Sequence, residues 1–567
     1  MYRLRFVGII VFAIIFVLQT MSQPRIALAL DGGTLRVNPK NGWKAFEIIT
    51  TGEDPTGDGV TWSMPITFDG LGASLPDAST LRIQVNHEIE DATISEVNLD
   101  YSSFQTAITN TIISGTPGVS FVNSARQAYD RWSSDGGQTW TSTTGTSNTD
   151  FNRFCSGQSY LPNTFGPGRG FVDNVYVTGE ESFGDSSHNR LFALDMDNRD
   201  FYQLSTVTGC GGDGICDSFF NSGMPKDSWE NAALLDTGET DHVALLLSPD
   251  GGSQRMQIYI GEKGLDPNGN ASNDFMARNG LAYGSYYYLN DSLPASGTST
   301  NGTIDTTSSG ALFSSKLEDV DTSPSDPTRA VLGDQNDGLF TFDFDLDFSS
   351  GNFSAGGSSF SITKIQNHAD ATNGSFGDAD NVEWTEPTVL DGTTYSEGLI
   401  FVNEDFTTGE IWMNTPDGSD LTLIADTGTT STATESSGIL DISDMLGYNP
   451  GSILLTSNQG SASSLSVLIN PDAELDSADF DGDSDIDGAD FLEWQRNFGT
   501  GTLHSEGDAE HDGDVDRSDL EVWQAQYGGP APLVAFSSVP EPSTGLLCTV
   551  VCLSIGTLSR RQIRFAA

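Results

Sequence analysis

The sequence predicts an all-β fold in which a β-propeller is followed by a small α-helical module with two calcium loops. Glycine is abundant, with 62 residues, and few long stretches favour helix. Between residues 30 and 471, short β-branched or aromatic runs alternate with turn sequences. Meanders of consecutive strands recur, for example at 174–205, 242–262 and 399–426. Repeated meanders of this length are typical of propeller blades and favour a propeller over a sandwich.

The two ends of the chain carry export and sorting patterns. Two arginines, an apolar run over residues 6–18 and an A-x-A pattern ending at Ala29 predict a signal peptide over residues 1–29. Residues 539–542 read VPEP and precede an apolar run and a basic segment. This order resembles the PEP-CTERM sorting signals of bacterial exported proteins, which implies processing and a place at the bacterial cell surface or outside the cell. The apolar run is short for a membrane span, so no stable span is expected after processing; a short anchor is the alternative.

The formal net charge is −54, from 79 acidic and 25 basic residues, and it limits the kinds of molecule that are expected to bind. Nucleic acid is not expected to bind, because a phosphate backbone requires a basic face. Clustered carboxylates repel one another unless cations such as Ca²⁺ neutralise them. Any single Asp could equally belong to a solvated acidic surface.

Four strand-like segments of the large domain end in carboxylates. They read RIQVNHE, VYVTGEE, QIYIGE and LIFVNED, and they end at or near Glu88, Glu181, Glu262 and Glu404. In a propeller the innermost strand of each blade follows the central channel, so acids at equivalent strand ends would converge on one site. The alternative is that these acids lie in outer turns.

Three other segments of the large domain have local patterns. Residues 133–140, SSDGGQTW, match the Asp-box hairpin of sialidase-like propellers, in which the Asp caps the turn and the Trp packs beneath it. Residues 339–348 alternate between apolar and acidic side chains, which predicts a strand with one solvated face. Residues 269–327 are rich in Ser, Thr, Asn and Gly, and we expect long loops or an insertion there.

The five cysteines differ in context. Cys548 and Cys552 lie in the tail that is expected to be removed. Cys210 and Cys216, in CGGDGIC, can close a small loop as a disulfide in an oxidising compartment. Cys155 then has no predicted disulfide partner. The alternatives for its role are a metal ligand, a nucleophile and a buried thiol.

After residue 471 the composition changes to two similar acidic loops, each followed by a short helical pattern. DFDGDSDIDGAD precedes FLEWQRNFG, and DAEHDGDVDRSD follows 29 residues later before LEVWQAQYG. Oxygen ligands at these spacings are what Ca²⁺ requires. The pair resembles dockerin repeats, which implies a cohesin-like or surface-matrix partner. The predicted calcium ligands are Asp479, Asp481, Asp483, Asp487 and Asp490 in the first loop, and Asp508, Glu510, Asp512, Asp516 and Asp519 in the second.

Residues 45 to 470 resemble the PhoX-type alkaline phosphatases, secreted β-propeller enzymes that carry iron and calcium. The resemblance rests on short motifs in the family's order: NHE, C-x-G leading to a strand that ends in Glu-Glu, a Glu-x-Ala-Ala turn, Asp-Asn, and a strand that ends in Glu-Asp. Gly179 stands where the family has a second cysteine, and Trp229 where it has a histidine. The resemblance implies a metal site formed by Cys155, Glu88, Glu181, Glu230, Asp380 and Glu404. No clear equivalent of the family's arginine segments is found; in so acidic a protein the bound metals would supply most of the positive charge, with Arg153, Arg169 or Arg190 as helpers.

These observations predict four segments: a signal peptide (1–29), a PhoX-like propeller (30–471), a dockerin-like module (472–529), and a linker with the sorting signal (530–567). The leading functional prediction is an exported metal-dependent phosphoesterase that hydrolyses phosphate monoesters in the propeller channel. The alternative is a non-catalytic propeller that calcium stabilises and that serves binding or assembly through its module. A glycan-active propeller, based on the single Asp-box, ranks third.

Overall fold

The computed structural model describes residues 35–55, 61–143, 151–181, 190–204, 229–250, 255–312, 314, 316–369, 375–406, 408–427, 435–460, 462–482 and 485–528. The predicted signal peptide and sorting signal, Cys210, Cys216 and Asp483 lie outside these residues. Within them, no helix is both long and apolar enough to span a membrane.

Strands dominate the described residues, which confirms the all-β prediction. In chain order they are β1 (Asn38–Pro39), β2 (Lys44–Thr50), β3 (Phe68–Asp77), β4 (Thr80–His87), β5 (Thr93–Asp100), β6 (Val122–Gln127), β7 (Arg131–Ser133), β8 (Thr141–Ser142), β9 (Phe154–Tyr160), β10 (Val175–Glu180), β11 (Leu191–Asp195), β12 (Asp200–Gln203), β13 (Trp229–Leu235), β14 (His242–Pro249), β15 (Gln257–Glu262), β16 (Gly284–Asn290), β17 (Ser299–Asp305), β18 (Leu317–Thr322), β19 (Arg329–Asp334), β20 (Gly338–Asp345), β21 (Ser359–Asn367), β22 (Ala379–Trp384), β23 (Thr388–Leu390), β24 (Thr393–Tyr395), β25 (Ile400–Glu404), β26 (Glu410–Asn414), β27 (Leu421–Asp426), β28 (Glu435–Asp441), β29 (Ile453–Gln459) and β30 (Ser464–Ile469). The helices are α1 (Tyr101–Ser114), α2 (Phe275–Arg278), α3 (Ser443–Leu446), α4 (Gly488–Asn497) and α5 (Arg517–Gln526).

Most of the described strands form six consecutive antiparallel meanders. The meanders are β3–β6, β9–β12, β13–β16, β18–β21, then β22 with β25–β27, and finally β28–β30. Strand β2, from the N-terminal side of the first meander, pairs with β30 and completes the last one. Strand β17 pairs with both β16 and β21, so the third and fourth meanders share a nine-stranded sheet.

The first strands of the six meanders lie side by side. Strand β3 contacts β9, β9 contacts β13, and the series continues through β18, β22 and β28 back to β3. Apolar side chains fill the space between each pair of neighbouring meanders, as in the aromatic group around Phe154, Phe192 and Phe201. We refer to β3, β9, β13, β18, β22 and β28 below as the inner strands.

The predicted hairpin at residues 133–140 forms as expected. The Asp135 carboxylate accepts hydrogen bonds from Thr139 N (2.7 Å) and Thr139 Oγ1 (2.5 Å). Gly136 and Gly137 have φ of 69° and 87°, which a β-carbon would disfavour. Trp140 packs edge-on against Tyr202, with ring centroids 5.1 Å apart. The hairpin is therefore a packing element at the edge of the second meander.

The prediction of long loops between residues 269 and 327 is wrong in part, because β16, β17 and β18 lie there. Strand β17 reads STNGTID, and five of its seven residues are exposed or half-exposed. Such a strand is held by backbone pairing with its two neighbours, so it needs no apolar run. In β20 the predicted alternation is confirmed: Phe340, Phe342 and Phe344 are buried, whereas Asp343 and Asp345 are exposed.

Residues after 471 form a small helical pair. Asp487 caps α4 and Asp516 caps α5, each in a capping box with the acid three residues later. The indole of Trp494 donates to the carbonyl of Asp516 (2.6 Å), and that of Trp523 donates to the carbonyl of Asp487 (2.9 Å). These reciprocal bonds explain why the two sequence repeats place a tryptophan at the same position.

Candidate metal centre

A cavity of about 240 Å³ opens at one end of the ring of inner strands. Among the described residues, its lining includes nine carboxyl groups, one thiol and two basic side chains. The lining residues are Asp69, Glu88, Arg153, Cys155, Glu181, Glu230, Asp250, Lys316, Glu318, Gln335, Asp380, Asp405, Glu435 and Gln459.

The lining residues repeat with the meanders in two layers. The first layer, called the inner layer below, comes from the start of each inner strand: Asp69, Cys155, Glu230, Glu318 and Asp380 are each the second residue of their strand, and Glu435 is the first of β28. The second layer, called the outer layer below, comes from the end of each following strand: Glu88, Glu181, Asp250, Gln335, Asp405 and Gln459. Each described meander therefore contributes a pair of side chains to the cavity.

A shared register explains why these side chains converge. In five meanders, the residue before each inner-layer side chain pairs with the residue before its outer-layer partner, as in Phe68 with His87 and Trp229 with Pro249. A β-bulge or similar shift of register follows directly after this pair in these five meanders, and in the sixth it comes between Ser437 and Ile439. Because a bulge redirects a side chain, the repeated bulge turns an otherwise buried strand toward the cavity.

The structure brings five of the six sequence-predicted ligands together: Glu88, Cys155, Glu181, Glu230 and Asp380 all line the cavity. Glu404 does not. It pairs with Ala379, and the next residue, Asp405, faces the cavity instead. Glu262 lies at the end of a third strand and is also outside the cavity. Of the predicted helper arginines, Arg153 lines the cavity, whereas Arg169 pairs with Asp236 (2.6 Å) and Arg190 with Glu180 (2.6 Å).

Glu404 has a structural role of its own. Its Oε1 accepts hydrogen bonds from Gly377 N (2.7 Å) and the Trp412 indole (2.9 Å). Burial raises the pKa of Glu404 to about 9, so this side chain is protonated at neutral pH.

Glu404→Gln is therefore expected to keep the metal content and change the free energy of unfolding by less than about 1 kcal/mol, because glutamine resembles a protonated glutamate. Asp405→Asn is expected to lower the metal content. Metal analysis and urea unfolding of both variants check this pair. Metal loss in Glu404→Gln alone would return Glu404 to the ligand set.

The ligand atoms of the cavity fall into three overlapping groups. They are Asp69 with Glu88 and Cys155, Cys155 with Glu181 and Glu230, and Glu230 with Glu318 and Asp380. Within each group the ligand atoms lie within 4.8 Å of one another. Cys155 and Glu230 belong to two groups each, so the arrangement suits several neighbouring cations that share ligands rather than a single ion.

Hydrogen bonds behind the cavity orient Glu230. Its Oε1 accepts from Ser156 N (3.1 Å) and Ser156 Oγ (2.6 Å), and the Asn381 amide donates to the same hydroxyl (2.7 Å). Asn86 in turn donates to the Cys155 carbonyl (2.6 Å). Such supporting contacts fix ligand side chains before a metal binds.

Bound cations would stabilise the charged forms of the carboxyl groups and of the thiol in the cavity. Burial, then Asp250 and Glu230, raises the pKa of Glu181 to about 10, and burial raises that of Glu230 to about 7. Burial, then Glu230 and Glu88, also raises the pKa of the Cys155 thiol, which lies 3.3 Å from a Glu181 oxygen. Glu181 Oε1 and Asp250 Oδ1 are buried and accept no hydrogen bond from a described residue. Metal ions would satisfy these oxygens and reverse the shifts, so the residues fit a polynuclear metal centre.

Two basic side chains accompany the described acids of the lining. Arg153 lies 3.4 Å from Glu88 and 3.6 Å from Glu181, with 37% of its side chain exposed. Lys316 lies 2.8 Å from Asp250 and 2.9 Å from Glu318. Both cationic side chains are therefore held beside the carboxylates at the cavity. The backbone of Arg153 has φ of 49°, an unfavourable value for a residue with a β-carbon.

Sequence reasoning missed Asp69, Asp250, Glu318 and Glu435. For Asp69 and Glu318 the missed signal is an acid as the second residue of an inner strand, directly after an apolar residue. The strand-end pattern identified Glu88 and Glu181 of the outer layer and missed Asp250, which follows the end of β14.

The first loop of the helical module also gathers carboxylates. Asp479, Asp481 and Asp490 have ligand atoms within 4.8 Å of one another. In the second loop, burial and neighbouring acids raise the pKa of Asp508 to about 7, that of Glu510 to about 9 and that of Asp512 to about 6. Both loops therefore have the charge density that a bound cation would offset.

Comparisons with known proteins give weak similarities. No protein-family model and no curated protein matches the chain. Among solved structures, Sqt1 from Chaetomium thermophilum is similar with a TM-score of 0.35 and 9% identity, over 75% of this chain and 99% of that one. A Trypanosoma rangeli sialidase in complex with 2,3-difluorosialic acid gives 0.34 and 7%, over 76% and 59%. A glucose dehydrogenase gives 0.29 and 8%, over 75% and 98%.

Proposed function

We propose that the protein is an exported, metal-dependent phosphoesterase built on a six-bladed propeller of PhoX type, with each meander as one blade. The observation that carries the proposal is the cavity, in which nine described carboxyl groups and a thiol face two basic side chains. The order of the matching motifs along the chain supports the family. Calcium is the expected metal and iron the second, since carboxylates suit hard cations and a thiolate suits iron.

Hydrolysis of a phosphate monoester requires positive charge around the transferred phosphoryl group and an activated oxygen nucleophile, and clustered metal ions supply both when bound. The residues of this chain would hold and orient these ions. Cys155 and Glu230, which each belong to two ligand groups, would be ligands shared between neighbouring ions. Arg153 and Lys316 would orient the ester through its phosphate oxygens, as the two cations among the described lining residues.

The second candidate is a non-catalytic propeller in which the same acids bind structural calcium. The abundance of carboxylate ligands favours it, because hard oxygen ligands alone suffice for Ca²⁺. In this case the dockerin-like module would attach the domain to a cohesin-like or surface-matrix partner. For both candidates, the predicted signal peptide and PEP-CTERM signal support a place at the cell surface or outside the cell.

Metal analysis of the purified protein and hydrolysis of a generic phosphate monoester separate the two candidates. The phosphoesterase is expected to contain iron and calcium in the cavity and to lose turnover after chelation. Glu262→Gln is the matched control: it changes an acid at the end of a strand outside the cavity and should leave turnover unchanged. Calcium without iron, together with no turnover, contradicts the enzyme and favours the binding protein.

A further inference from the structure

The second calcium loop of the helical module, residues 508–519, is docked on the large domain. Its contact surface is the hairpin β23–β24. The backbone N–H of Val389 donates to the carbonyl of His511 (2.8 Å). Gly513, with φ of 90°, lies so close that a β-carbon there would be 2.9 Å from the Thr394 methyl group. His511 is 8% exposed and its Nδ1 lies 3.8 Å from Glu474.

The segment that joins the large domain to the helical module is also held in place by hydrogen bonds. The backbone groups of Asn449 and Glu474 are joined by a hydrogen bond (3.0 Å), and the Asn449 side chain accepts from Glu474 N (2.7 Å). Asp476 N donates to the Gly447 carbonyl (2.9 Å), and Ser477 N to that of Ala509 (3.0 Å). The connection is therefore an ordered contact that continues into the second loop, unlike a polar linker that only tethers two domains.

Like charges meet across this contact. Glu386, which follows β22 in the large domain, has its pKa raised to about 7 by burial and then by the charge of Asp512 in the loop. A cation among the loop carboxylates would offset this repulsion. It would also fix the loop conformation that presents the His511 carbonyl and Gly513 to the hairpin.

We propose that calcium binding by the second loop and docking of that loop on the β23–β24 hairpin are coupled, so that calcium clamps the module to the large domain. The coupling rests on the proposed calcium binding of the module and is independent of phosphoesterase activity. The face of the module that carries the second loop is then covered by its own chain and is unavailable to another protein.

Thr394→Phe in the full-length protein tests the coupling, because it adds uncharged bulk at the contact and leaves every loop carboxylate in place. Thr393→Phe is the matched control, since neighbouring residues of a strand point to opposite faces. Calcium titration calorimetry on both variants and on the unmodified protein measures affinity. Asp512→Asn identifies the heat that belongs to the second loop.

Thr394→Phe is expected to weaken calcium binding by the second loop about tenfold, within the usual range for coupled sites. Calcium should also protect residues 471–477 from proteolysis in the unmodified protein and in Thr393→Phe, but not in Thr394→Phe. Unchanged affinity and protection in Thr394→Phe contradict the coupling alone. If Asp512→Asn removes none of the heat of calcium binding, the second loop does not bind calcium, and the coupling is contradicted as well.

Discussion

Glu230→Gln is expected to remove metal from the propeller cavity and to lower phosphate monoester hydrolysis by at least ~10²-fold. Glu230 is 3% exposed and belongs to two of the three ligand groups. Its Oε1 is already bonded to Ser156, so the other oxygen is the one that can bind metal. In glutamine that second atom becomes an NH₂ group, which donates hydrogen bonds and does not bind cations. Metal analysis and steady-state kinetics of the purified variant measure both effects.

Two comparisons distinguish loss of a ligand from loss of structure. Glu262→Gln changes an acid that ends a strand outside the cavity, and it should keep full metal content and activity. In chelator-treated protein, Glu230→Gln should unfold at the same urea concentration as the unmodified protein or a higher one, because it removes one of several mutually repelling carboxyl groups. If Glu230→Gln keeps its full metal content, Glu230 is excluded as a ligand. The same conclusion follows if the variant is less stable than the unmodified protein only in the metal-free state.

The meanders were predictable from sequence because their signals are local. Turn sequences such as SPDGG and TPDGSD separate runs of mostly apolar residues, and each run is long enough for one strand. The helical module was predictable for a different reason: the repeat at a spacing of 29 residues keeps both acids and tryptophans in place. Strand β17 escaped prediction because its side chains are largely polar and only backbone pairing defines it.

About half of the cavity could be predicted, and the predicted residues come from both layers: Glu88 and Glu181 from the outer one, and Cys155, Glu230 and Asp380 from the inner one, which only the motif resemblance located. Acids such as Glu88 and Glu181 stand out because they end an apolar run and precede a loop. Asp69 and Glu318 are the second residues of inner strands, and their one local signal, an apolar residue before the acid, does not identify the strand as an inner one. Their orientation depends on a β-bulge, which is a property of pairing with a distant segment. The error at Glu404 has the same cause, since one residue of register decides which of two adjacent acids faces the cavity.

Gly179 shows how packing between inner strands constrains the site. It lies in β10, two residues before the outer-layer residue Glu181, at the position where the resembled family carries a second cysteine. A β-carbon on Gly179 would lie 1.8 Å from the Trp229 carbonyl oxygen and 2.9 Å from that of Glu230. These are backbone atoms of the neighbouring inner strand, which cannot rotate away. The second and third meanders approach each other closely here because residue 179 has no side chain.

Gly179→Ala is therefore expected to push the second and third meanders apart and to lower the free energy of unfolding by about 3 kcal/mol. The same displacement should separate Glu181 from Glu230, so metal content should fall although no ligand is changed. Urea unfolding and metal analysis measure the two effects. Gly356→Ala is the matched control, because nothing lies within 4 Å of a β-carbon at that position, and it should behave like the unmodified protein. If Gly179→Ala unfolds at the unmodified midpoint and keeps its metal, the close approach of β10 to β13 does not hold the ligands in place.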